Sequence, residues 1–167
     1  SWGNGLALSP LQLARFYASI GNGGQKVPLS VIKDPQFNEG EKVLDTKNTD
    51  AVLEMMEQVV LQGVQKAKVE GYRVAGKTGT IRKAVAGGYG NEYVGIFAGV
   101  APVSDPKLAI VVVINEPGGD LYHGGEVAAP VFSRVMSGSL QYLNITPDDE
   151  TQISRWSKVF NKGDNDA

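Results

Sequence analysis

Between Tyr72 and Asn115 the chain carries three stretches of strand-forming residues joined by short Gly- and Pro-containing connections, which commits this part of it to a sheet. The stretches are Tyr72 to Thr80, Tyr93 to Ala101 and Leu108 to Asn115. The last contains an unbroken Leu-Ala-Ile-Val-Val-Val-Ile run, which predicts a strand covered on both faces. Gly87, Gly88 and Gly90 loosen the first connection, and Val103-Ser104-Asp105-Pro106 supplies turn chemistry for the second, so antiparallel neighbours are expected.

Helices surround these strands. Ser9-Pro10-Leu11-Gln12 combines an N-cap hydroxyl, a proline at the first helical position and a glutamine three residues after the cap. It predicts a helix from Pro10 to about Ile20, closed by Gly21-Asn22-Gly23-Gly24. Val27, Leu29 and Val31 alternate with other residues between Pro28 and Pro35 and read as a short edge strand, and 34–45 reads as loop. From Asp50 onward Val52, Met55, Met56, Val59 and Val60 recur at helical spacing until Gly63, with the methionines read as core. A last helix is expected from about Glu126 to Leu143, with Pro130 tolerable in its first turn. The order helix, strand, helix, three strands, helix gives an α/β chain of the α+β kind, a mostly antiparallel sheet flanked by helices. Residues 1–146 form the expected globular part, and 147–167 a polar tail with disorder expected from Asn161 to Ala167.

Charge and composition remove several classes of function. Sixteen basic residues against 18 acidic leave a net charge of -2, which gives no electrostatic case for nucleic acid or an anionic membrane surface. Without cysteine there is no disulfide scaffold and no thiolate metal site. No apolar run approaches the roughly 18 residues of a membrane span. Ser1-Trp2-Gly3-Asn4 lacks the basic and apolar regions of a signal peptide, so neither anchor nor export signal is expected from these residues.

Three motifs compete for the chemistry. Gly71-Tyr72-Arg73-Val74-Ala75-Gly76-Lys77-Thr78 matches the Walker A spacing of a phosphate-binding loop. Its context does not: Tyr72, Arg73 and Val74 are bulky strand formers, and Gly79 stands where a helix should open toward the phosphate. Ser30-Val31-Ile32-Lys33 matches the Ser-x-x-Lys of serine acyltransferases, a pattern that works on a helix, where the amine lies one turn from the hydroxyl. Two β-branched residues and flanking prolines favour an extended chain here, which sends Ser30 and Lys33 to opposite faces. Lys77-Thr78-Gly79-Thr80 read as a strand places Lys77 and Gly79 on one face and Thr78 and Thr80 on the other. Such an edge could pair with an extended peptide, bind a carboxylate through its hydroxyls and offer an N–H to an oxyanion. An ordinary glycine-containing strand is the competing reading.

The residues around this strand resemble class B penicillin-binding proteins, especially the septal cell-division transpeptidases of Gram-negative bacteria. The similarity runs through Leu8-Ser9-Pro10-Leu11-Gln12-Leu13-Ala14, Gly71 to Thr80, Ala98-Gly99-Val100-Ala101-Pro102, Val111 to Pro117 and Gly124 to Phe132, in that order. It implies part of a serine β-lactamase/penicillin-binding transpeptidase-like fold. Of the family's three clusters only Lys-Thr-Gly is present: no Ser-x-Asn occurs, and Ser30-Val31-Ile32-Lys33 follows the helix that should come after the other clusters. The resemblance therefore implies that the nucleophilic serine lies on sequence N-terminal to Ser1, and that 1–146 is the C-terminal half of a transpeptidase domain.

By the same resemblance Lys77 supports proton transfer in the serine network. Thr78 and Thr80 bind the carboxylate of a D-Ala-D-Ala stem peptide or a β-lactam, across Gly79, and the Thr80 N–H shares the oxyanion hole. Arg82 orients that threonine or binds ligand, and Tyr122 and His123 line the pocket. The other reading of His123, the only histidine, is a solvated loop residue. No cofactor or metal is implied. The implied partners are the N-terminal part of the same domain, the peptidoglycan stem peptide, β-lactams and division proteins, in a periplasmic protein anchored to the inner membrane. A β-lactamase or β-lactam sensor of the same superfamily, and a non-catalytic peptide-binding or scaffold module, are the alternatives.

Overall fold

The structure, a computed structural model, describes residues 7–32 and 40–151. Helix α1 runs over Pro10–Gly21, and its capping box forms as the sequence requires. The Gln12 N–H donates to Ser9 Oγ at 3.2 Å and the Ser9 N–H to Gln12 Oε1 at 2.8 Å, satisfying two donors the helix cannot. Helix α2 covers Thr46–Gln62 and so begins before the expected Asp50. The Asp45 carboxylate accepts from the Lys47 and Asn48 N–H groups at 2.9 and 3.4 Å, a cap that lies ahead of the apolar periodicity.

The short strand expected at Val27 to Val31 does not form. Pro28 has no N–H for a ladder, and Ser30 Oγ instead takes the Ile32 N–H at 3.1 Å and donates to the Ile32 carbonyl at 2.6 Å. An isolated bridge between Gln25 and Lys42 is what pairing this region has. Lys33 and Pro35 lie outside the described residues.

The three expected strands are present as β1 (Ala75–Val85), β2 (Gly88–Ala101) and β3 (Leu108–Asn115), antiparallel in the order β1-β2-β3. Strand β1 starts later than Tyr72, because Gly71 at φ +81 turns the chain and Tyr72 bridges back to Val69. It also runs past Thr80 into a hairpin closed at Gly87, whose φ of +90 favours glycine. The connection that the glycines were expected to loosen is thus a tight turn.

Thr78 pairs with Phe97 and Phe97 with Val112, so Gly76, Thr78 and Thr80 share a face with Phe97, Gly99, Ile110 and Val112. Helices α3 (Gly124–Val127) and α4 (Ala129–Tyr142) cover that face, and α1 covers the other. On the first face Phe97 and Phe132 meet at 4.6 Å between ring centroids amid Val74, Met136 and Leu140. On the second, Ile20 packs with Ala75 and Val100. Helix α2 serves both, with Leu53 and Met56 in one cluster and Val60 in the other. The apolar β3 run has helices on both faces but is only half-buried, because β3 is an outermost strand of the sheet.

The last expected helix is two: the break falls at Ala128, and Pro130 occupies the first turn of α4, where its missing N–H costs no helix bond.

The approach to β1 is held from two sides. Arg73 grips the buried Glu57 carboxylate of α2 through Nε at 2.7 Å and Nη2 at 2.6 Å, and this hydrogen bonding raises the guanidinium pKa further. Asp148 accepts from the Arg73 N–H at 2.7 Å and the Ser104 N–H at 3.1 Å, while Tyr72 donates its hydroxyl to the Ile145 carbonyl at 2.6 Å. The start of the expected polar tail is therefore tied to the sheet; Asn161 to Ala167 lie outside the described residues.

Candidate active-site strand

Among the described residues no strand pairs with the outer edge of β1. Which groups face that edge follows from the ladder. The Glu116 N–H donates to the Tyr93 carbonyl at 2.9 Å, so odd-numbered residues of β2 bond to β3 and even-numbered ones to β1. With Ile96 opposite Gly79 and Ala98 opposite Lys77, the main-chain groups of Lys77 and Gly79 turn inward. Those of Gly76, Thr78 and Thr80 turn outward, at the spacing an extended peptide requires.

Side chains complete this edge. Lys77 is exposed and bends round it, Nζ lying 3.3 Å from the Thr78 carbonyl and 3.4 Å from Thr78 Oγ1. Thr80 Oγ1 accepts the Gly124 N–H at 3.2 Å. Gly124 sits directly on the sheet: a Cβ there would come within 2.2 Å of the Ile96 carbonyl oxygen and 2.4 Å of that of Gly79. Immediately before it, the Tyr122 ring stacks on Tyr93 at 4.1 Å between centroids and lies tilted against His123 at 4.4 Å, a run of three rings that starts on β2.

Arg82 is placed differently from the expectation that it orients Thr80. Its Nε donates to the Gly90 carbonyl at 2.5 Å and Nη2 to Asn91 Oδ1 at 3.0 Å, stiffening the hairpin where the register shifts between Arg82 and Ala84. The group on the Thr80 hydroxyl is the Gly124 amide.

The competing motifs lose their geometry. Lys77 and Thr78 of the Walker A match lie within β1, and no helix follows them. Ser30 closes a local turn. A second Ser-x-x-Lys, Ser104-Asp105-Pro106-Lys107, lies in the turn before β3, where Lys107 pairs with Asp105 at 2.5 Å. Neither is helical. Among the described residues no group of three or more His, Cys, Asp or Glu could hold a metal ion.

The sequence matches the family described as penicillin-binding protein transpeptidase domain over residues 1–137. This chain belongs to that family. It is 46% identical to the peptidoglycan D,D-transpeptidase FtsI of Escherichia coli K12 over 98% of its own length, which is 28% of the relative's. A probable peptidoglycan D,D-transpeptidase PbpC of Pseudomonas aeruginosa is 42% identical over 89% of this chain and 27% of its own. The transpeptidase domain of Burkholderia pseudomallei penicillin-binding protein 3 superposes with a TM-score of 0.80 at 36% identity, covering 88% of this chain and 46% of that one. The transpeptidase fold expected from the sequence is therefore the fold this chain belongs to, and the chain spans less than a third of the length of each of these two curated relatives.

Two parts of the site were not legible in the sequence. Tyr93 looks like one more strand aromatic until Tyr122 is found against it. Gly124 looks like flexible loop chemistry, and only its proximity to two carbonyl oxygens shows that it is a contact. The reverse holds at Gly79, where a Cβ would meet nothing nearer than Ile96 Cβ at 3.6 Å. The described fold does not itself demand glycine there. Gly79→Ala is expected to change stability by less than about 0.5 kcal/mol. Denaturant unfolding of the two proteins measures this.

Proposed function

We propose that this chain is the substrate-strand part of a serine-type peptidoglycan D,D-transpeptidase of septal wall synthesis. The observation that carries the reading is the β1 edge, where Thr78 and Thr80 turn main-chain groups outward and the Lys77 amine curls over Thr78. In the proposed reaction a serine hydroxyl, supplied by the N-terminal part of the same domain, adds to the penultimate carbonyl of a stem peptide ending D-Ala-D-Ala. The terminal D-Ala leaves as its amine, taking a proton, and the acyl group passes to an acceptor amine of a second peptide. Lys77 supports the proton transfer, Thr78 and Thr80 bind the terminal carboxylate, and the Thr80 N–H contributes to the oxyanion hole. A β-lactam occupies the same site and acylates the same serine.

In this reading Tyr122 and His123 line the pocket, and Arg82 contributes positive charge toward an anionic ligand from the hairpin that holds it. The reading places the domain in the periplasm, in a parent protein anchored to the inner membrane beside division proteins. No described helix is long and apolar enough to cross a membrane, so the anchor is assigned to other sequence of the parent.

Labelled penicillin tests this directly. The 167-residue chain is expected to form no serine adduct alone, and co-production with the preceding segment of the parent, bearing Ser-x-x-Lys and Ser-x-Asn, is expected to yield a labelled serine on that segment. A serine adduct on this chain by itself, located by mass spectrometry, would overturn the reading. Rapid hydrolysis of the adduct would favour a β-lactamase, and a complemented pair that binds stem peptide without acylating would favour a peptide-binding module.

A further inference from the structure

A threonine hydroxyl has one proton to give and two lone pairs to accept with. At Thr80 the Gly124 N–H, 3.2 Å away, takes up accepting capacity and leaves the proton for a group beyond the exposed edge. The direction of that proton thus depends on what holds Gly124. Residues 117–123, which lead into it, have no helix or strand of their own. Besides the Glu126 and Val127 N–H bonds to the His123 carbonyl, the rings fasten them: Tyr122 lies on Tyr93 with an interplanar angle of 23°, and His123 against Tyr122 at 38°. The base of this stack is fixed to the sheet. Tyr93 pairs with Arg82 in the ladder, its carbonyl takes the Glu116 N–H, and Glu116 in turn is ion-paired with Lys83 of β1.

We propose that Tyr93 is a positioning residue: through Tyr122 and His123 it keeps the Gly124 amide on Thr80, so that the Thr80 hydroxyl donates to the carboxylate of the ligand. This rests on the transpeptidase reading above, and it adds a role for a side chain that need not touch the ligand. A platform that only supported the fold would affect every ligand alike. A platform that aims one hydroxyl proton affects ligands with a carboxylate and spares those without.

The test uses the whole transpeptidase protein carrying this segment, acylated by benzylpenicillin and by its methyl ester. Tyr93→Ala is expected to lower the second-order rate for the carboxylate about three- to tenfold while leaving the ester's rate nearly unchanged. Tyr93→Phe, which keeps the ring, restores the preference. Thr80→Val removes the same preference, and Tyr93→Ala added to it causes no further loss. Exchange of the Gly124 amide proton, protected by Thr80, is expected to quicken in Tyr93→Ala. Equal losses for acid and ester, or an unchanged ratio with unchanged Gly124 exchange, would overturn the positioning role while leaving the transpeptidase reading intact. Absence of acylation in the unsubstituted protein would overturn that reading itself.

Discussion

Gly124→Ala is expected to abolish most acylation, on the order of 10²-fold in the whole domain, and to cost about 1–3 kcal/mol of stability. The reason lies in what the new methyl group would strike. The atoms at 2.2 and 2.4 Å are the carbonyl oxygens of Ile96 and Gly79, parts of the β1–β2 ladder and not side chains that can swing away. Relief requires the α3 segment to lift from the sheet, and lifting it withdraws the amide from Thr80. Stability and activity should therefore fall together. Gly118→Ala is the control from the same loop, since a Cβ there meets nothing within 4 Å, and it should change neither. Urea unfolding and penicillin acylation on the two variants check this. A Gly124→Ala protein with normal kinetics would show that the contact between α3 and the strand does not shape the site.

Local chemistry made much of the fold readable. Ser9, Pro10 and Gln12 define the start of α1 because a capping box is complete within four residues, and β3 matches its expected ends because Asn115 and the Pro106 turn bracket the apolar run. The misreadings came where a non-local partner or an unseen cap decides. Asp45 starts α2 before any apolar residue announces it. Val27 to Val31 have strand composition, yet Pro28 and the Ser30 hydroxyl turn them into loop. At the site, motif and strand period placed Lys77 apart from Thr78 and Thr80 by face, as found. They could not show that the Thr80 hydroxyl is met by Gly124, 44 residues away, while Arg82, two residues on, turns to Gly90 and Asn91.

Lys77→Met separates the two chemistries that Gly71 to Thr78 can spell. A phosphate-binding lysine would lie in a curled loop opening into a helix, where its charge answers a nucleotide. Lys77 instead lies in β1, exposed, with its amine over the neighbouring Thr78 carbonyl and hydroxyl. Methionine keeps the length of the side chain and removes the amine, and since those are weak contacts at the surface, stability should shift by less than about 0.5 kcal/mol. Acylation of the whole domain should nevertheless fall by about 10²–10⁴-fold, the usual loss when a proton-transfer group is removed. The loss should appear in the acylation step and not in initial β-lactam binding, because the hydroxyls of Thr78 and Thr80 remain to hold the carboxylate. Loss confined to initial binding would make Lys77 an electrostatic anchor. Titration of the unsubstituted protein with ATP and magnesium should give no saturable heat; a Lys77-dependent signal there would return the motif to the phosphate loop that its spacing imitates and its strand geometry opposes.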